Sequence, residues 1–140
     1  MEDRSSLKRF TAAQEKQFDV ALAEISRGRK QTHWMWYIFP QIAGLGFSEM
    51  SRLYAIRDLA EAEAYLRDPL LGSRLIQISE TVLKLQGKTA HQIFGSPDDL
   101  KLHSSMTLFS AVPNKHPVFQ KVLDKYFNGV PDAGTLNILK

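Results

Sequence analysis

The residues best suited to chemistry stand in two stretches. The first runs His33-Trp34-Met35-Trp36-Tyr37-Ile38-Phe39-Pro40-Gln41 and holds both tryptophans of the chain, one of its four tyrosines and one of its eight phenylalanines. Such a run has to be buried. Once water is excluded, His33, Gln41 and the two indole N–H groups each need a hydrogen-bond partner. A dry aromatic wall with a few convergent polar groups is the usual make-up of a ligand pocket, and also of a core with satisfied edges. The second stretch is Ser96-Pro97-Asp98-Asp99-Leu100-Lys101-Leu102-His103-Ser104-Ser105-Met106-Thr107-Leu108-Phe109. Advancing about 100° per residue from Leu102 puts Met106 and Phe109 within ~40° of it. Asp98, Ser105 and Lys101 then fall about 40°, 60° and 100° away on one flank. The acid, hydroxyl and amine border the apolar face, a geometry that suits a pocket rim. The plainer reading is an Asp98–Lys101 pair at i,i+3, worth ~0.2–0.5 kcal/mol, beside a tolerated serine.

If these stretches meet, they would bind a polar or anionic small molecule carrying a planar group. Trp34 or Trp36 would stack on the ring and Lys101 would neutralise charge. Asp98 would accept from hydroxyls or polarise a water. His33, Gln41 and Ser105 complete the candidate binding set, with Asp98 and His33 as the candidates for acid–base catalysis. Nucleophile-elbow, phosphate-loop, HExxH and calcium-loop patterns are all missing. Gly44-Leu45-Gly46-Phe47-Ser48-Glu49 begins like a dinucleotide fingerprint but lacks its third glycine, and reads as a turn. His33, His91, His103 and His116 are not three or four positions apart, so no metal site and no cofactor are expected.

The elements that must position these residues are nearly all helical. Thr11 to Gly28 reads as one helix with Phe18, Leu22 and Ile25 on its inner side and Gly28 as its stop. Arg27-Gly28-Arg29-Lys30 then places cations at that helix's negative end, with phosphate contact as the alternative. Ser48-Glu49 and Asp58 to Arg67 open short helices. Asp68-Pro69 is an N-cap with proline at the first helical position, and Leu71, Leu75, Ile78, Val82 and Leu85 trace a clean stripe toward Gly87. Helices follow at 89–94, from Ser96 to Phe109, from Pro117 to Asn128-Gly129, and from Asp132 to Leu139. In the aromatic run a buried strand and a buried helix look alike. The expected fold is all-α, an irregular single-domain bundle of about seven or eight short helices over residues 1–140, with 1–8 as a flexible N-terminus.

Composition narrows the class. The 140 residues are one domain's worth, and with no cysteine the chain has neither disulfides nor thiolate chemistry. No secretory h-region or membrane-length apolar run is present, so a cytoplasmic protein is expected. A net charge of +3 is too mild to imply nucleic acid. Weak contact through Arg27, Arg29 and Lys30, with Lys8 and Arg9, is kept as a third function class, behind a small-molecule pocket and a non-enzymatic protein–protein interaction module.

At these same stretches the chain resembles a bacterial family known as domain of unknown function 1810. The resemblance rests on Arg9-Phe10 with Ala13-Gln14, the string HWMWYIFPQ from His33 to Gln41, Gly44-Leu45-Gly46 and Tyr54-Ala55-Ile56. It continues through Glu61-Ala62 with Tyr65-Leu66, Leu71-Gly72-Ser73-Arg74-Leu75, Phe94-Gly95, and Asp98-Asp99 to Phe109, so that it spans Arg9 to Leu139. It implies a mainly helical single domain and brings no established activity. A fainter similarity is to the NADAR family, small helical enzymes acting on N-glycosidic bonds of ribosylated nucleotides and ADP-ribose adducts. It consists of aromatics followed by Gly and Ser, and a late Lys-x-x-Ser-Met-x-x-Phe-like arrangement. The acid those enzymes use has no unambiguous counterpart among Glu49, Glu61 and Glu63, so no catalytic residue carries over.

Overall fold

The computed structural model describes residues 7–140. Among them ten helices follow in order. They are α1 (Lys8–Gln14), α2 (Phe18–Ser26), α3 (Met35–Ile38), α4 (Glu49–Leu53), α5 (Leu59–Arg67), α6 (Pro69–Lys84), α7 (Ala90–Phe94), α8 (Asp98–Ser110), α9 (Val118–Phe127) and α10 (Ala133–Leu139). Among the described residues the one extended pairing is an isolated parallel bridge between Ile42 and Ile56. The fold is all-α, as the sequence predicts. The larger helix count has two sources. The segment from Thr11 to Gly28 splits at 15–17 into α1 and α2, and the aromatic run contributes a single helical turn. The split follows Gln14, whose buried amide donates to the Tyr37 carbonyl and the Tyr65 hydroxyl. Its oxygen accepts from Arg74, and the backbone beyond it tightens into i→i+3 turns. The N-terminal segment expected to be flexible lies outside the described residues, except for Leu7, packed against the core, and Lys8, which opens α1.

Local signals place most boundaries. Asp68 caps α6, its carboxylate accepting from the Leu70 and Leu71 N–H groups, with Pro69 behind it. A reciprocal Thr89–Gln92 capping box starts α7. The C-terminus of α6 is satisfied from a distant element: the Lys125 ammonium on α9 donates to the Leu83 and Leu85 carbonyls, and the Tyr126 hydroxyl to that of Val82. α8 begins at Asp98, one residue later than a Ser96 cap would place it, and has no side-chain cap.

The centre of the molecule is α8. It packs against α5, α7, α9 and α10, so Leu102 and every residue from Ser104 to Phe109 are buried. A chain of rings, Phe10–Tyr65–Phe109–Phe119, crosses the core with centroids 5.1, 5.4 and 5.8 Å apart. α10 is tied to α8 by Asp132, whose carboxylate accepts from Ser104 and from the Thr135 N–H and hydroxyl. Burial raises the Asp132 carboxyl, but these hydrogen bonds and the nearby His103 outweigh it and leave it lowered. Among the described residues no helix is long and apolar enough to cross a membrane.

Candidate functional site

Trp34 begins the aromatic turn fully buried, and its indole N–H donates to the Glu24 carboxylate at 2.9 Å. The same oxygen accepts from the Gln31 and Thr32 N–H groups, while the second takes the Thr32 hydroxyl at 2.7 Å. Burial would raise the Glu24 carboxyl. The hydrogen bonds from Gln31, Thr32 and Trp34 prevail and bring it down to about 2, so it stays ionised. Glu24 therefore fixes the loop between α2 and α3. That loop is docked onto α7 by the Lys30 N–H donating to the Ile93 carbonyl at 2.7 Å.

Docking the loop places Lys30 beside α8. Its ammonium lies 2.8 Å from Asp98 Oδ2, 4.9 Å from the Trp34 ring centroid, and also donates to the Thr32 carbonyl. Lys101, one turn along α8, approaches Asp98 Oδ1 at 3.7 Å and lies 5.4 Å from the Trp36 ring centroid. The two distant stretches therefore meet. One carboxylate is held between two ammonium groups, and each ammonium faces one indole. The Lys30 side chain is only 6% exposed, whereas Asp98 and Lys101 keep about a fifth of theirs in water.

The other residues singled out in the sequence go elsewhere. His33 is exposed, and its carbonyl accepts from the Tyr37 hydroxyl. Gln41 lines a small separate cleft with Gly44, Ser51 and Arg52, and its carbonyl accepts from Ile56 N–H. Ser105 is completely buried, and among the described residues its hydroxyl has no hydrogen-bond partner. Its rim position on the helical wheel is an interior one here, because neighbouring helices cover α8 nearly all round. The turn from Gly44 to Ser48 feeds the short α4, with Ser48 capping it through Ser51 N–H. Among the described residues no three His, Asp or Glu side chains converge as metal ligands.

The family described as a protein of unknown function, DUF1810, matches residues 4–139. The chain belongs to the DUF1810 family. This DUF1810 protein is also similar to a solved structure, that of the conserved hypothetical protein Rv1873 from Mycobacterium tuberculosis. The two chains are 44% identical, superpose with a TM-score of 0.95, and cover 98% of each other. No curated protein matches the chain.

Two residues of this DUF1810 protein's candidate site escape a reading of its sequence. Glu24 is an acid on the inner side of α2, between Ala21 and Ile25, and that placement was the available signal. Lys30 reads as a helix-end cation, yet it reaches across to α8. The acids weighed for N-glycosidic chemistry are placed apart from this junction. Glu61 is buried and committed to Arg9 and the Arg57 N–H, Glu49 is exposed, and Glu63 is half-buried on α5.

Proposed function

We propose that the protein binds a polar, negatively charged small molecule carrying a planar group, where the aromatic run meets α8. The observation that carries this is the Lys30–Asp98–Lys101 cluster set against Trp34 and Trp36. Trp36, half-buried and backed by the core, offers a ring face. Lys101 supplies charge beside it, and cation–π contact holds the ammonium over the ring. Asp98, fixed by two cations, accepts hydrogen bonds from ligand hydroxyls and is the carboxylate placed to orient a water, should the bound molecule be hydrolysed. The interaction-module reading has less support. It needs Trp34 or Trp36 exposed beside an apolar patch, but Trp34 is fully buried and Trp36 half-buried, and among the described residues the most exposed large apolar side chains, Phe47, Leu100 and Val130, stand in three separate segments of the chain. Nucleic-acid contact is weakened as well, since Arg9 is committed to Glu61 and Lys30 to Asp98.

The test is a thermal-shift screen against nucleotides, ADP-ribose and sugar phosphates, followed by iodide quenching of tryptophan fluorescence. A ligand at 100 times its dissociation constant adds ~2.7 kcal/mol of stability. Trp36 should be the quenchable indole, and a true ligand should shield it. Trp36→Ala and Lys101→Ala should abolish the shift, while Lys84→Ala should not. A silent panel overturns the reading.

A further inference from the structure

Beside the Lys30–Asp98 pair lies a cleft of about 610 Å³, within the usual range for small-molecule sites. One wall is the turn after α2, with Arg29 and Lys30; the other is the segment from Gly87 to Gly95, with Lys88, His91 and Gln92. The lining carries four basic side chains and no carboxylate. Two acids of α8 engage lining residues: Asp98 pairs with Lys30, and Asp99 approaches His91 at 3.4 Å. Among the described residues, Arg29 and Lys88 have no carboxylate within ion-pair distance. The Lys88 ammonium donates to the Gly28 carbonyl at 3.0 Å, which ties the two walls together and leaves two of its donors available.

The backbone leaves room at both ends of the second wall. Gly87 and Gly95 have φ of +71° and +74°, a conformation that suits glycine, and a Cβ built on either would meet nothing within 4 Å. A ligand can therefore approach main chain as well as side chains. The Lys30 N–H···Ile93 bond and the Glu24 clamp fix the spacing of the walls before any ligand arrives.

We propose that this cleft binds the phosphate or diphosphate group of a phosphorylated small molecule. Arg29 supplies a planar fork for two phosphate oxygens, Lys88 supplies a point charge and His91 a further donor, while Lys30, held by Asp98, forms the boundary with the aromatic site. The inference rests on the reading above for the rest of the ligand: Lys30 belongs to both places, so a planar group joined to the phosphate would lie toward Lys101 and Trp36.

Calorimetric titration of the full chain with inorganic pyrophosphate at constant ionic strength tests the cleft without any ring. Arg29→Gln and Lys88→Gln should each weaken pyrophosphate by about tenfold, with Lys84→Ala unchanged. Arg29 is exposed, and glutamine at 88 keeps a donor for the Gly28 carbonyl, so both variants should melt like the parent. The same titration with ADP separates the two readings. ADP tighter than pyrophosphate, with the gain lost in Trp36→Ala, supports both. ADP no tighter, with pyrophosphate still lost in the double variant, supports the cleft and removes the stacking site. Three outcomes overturn the cleft: no pyrophosphate binding at millimolar concentration, binding unchanged in the double variant, or a short RNA that displaces pyrophosphate with the steep salt dependence of backbone contact.

Discussion

Glu24 sets the energetics at the scale of single residues. Three N–H donors converge on one of its oxygens and a hydroxyl on the other. Glu24→Gln keeps the shape and most of the bonds but loses the charge, and should cost about 1–2 kcal/mol. Glu24→Ala strands the buried Trp34 indole N–H and should cost about 3 kcal/mol by urea unfolding. The sign of the pH dependence follows from the carboxyl lying at about 2 in the fold against 4.5 unperturbed. Between those values the unfolded chain binds more protons than the folded one. The Glu24 contribution is therefore complete above about pH 4.5 and is lost as the pH falls toward 2. Stability curves of Glu24→Gln should lack that acid limb; parallel curves would disprove the clamp. Ser105 is the opposite case. Its buried, unpartnered hydroxyl contributes an unmet desolvation cost, so Ser105→Ala should be neutral or stabilising by up to about 1 kcal/mol. A loss above that would reveal a partner for the hydroxyl. Trp34 and its neighbours in the aromatic run are recognisable in the sequence as residues needing partners once buried, although His33 ends up exposed. Which company they keep is not readable there.

At the scale of elements, the junction of α5 with α6 depends on a glycine. A Cβ on Gly72 would stand 2.1 Å from the Leu66 carbonyl oxygen. That atom is main chain, so the helices would have to separate. Gly72→Ala should destabilise by about 2–3 kcal/mol despite alanine's better helix propensity, worth about 1 kcal/mol, because the clash exceeds the gain. A rise in melting temperature would show that the junction can give way. The caps at Asp68 and Thr89 and the stripe of α6 are legible in the chain, since each depends on residues within about four positions. The α1–α2 break is not, because Gln14 is drawn inward by Tyr37, Tyr65 and Arg74 from three other parts of the chain. Ser105 was misplaced on the wheel of α8 for a related reason. A single apolar stripe marks a helix with one covered side, and α8 is covered on nearly all of them.

The whole molecule should unfold as one unit. α8 joins α5, α7, α9 and α10, and the ring chain from Phe10 to Phe119 spans elements from both ends of the sequence. Thermal curves from tryptophan fluorescence and far-UV circular dichroism should therefore coincide, and separated midpoints would show a second cooperative unit. Composition and periodicity alone established a single all-helical domain, most of its helix ends, and the two stretches that supply the candidate site. Those properties arise from neighbours along the chain and from the burial each residue type requires. Folding in three dimensions decided that Lys30 reaches Asp98, that Glu24 takes the Trp34 indole, and that a basic cleft opens between the α2 turn and α7. These pairings depend on how helices cross, and helices of the same periodicity can cross in many ways.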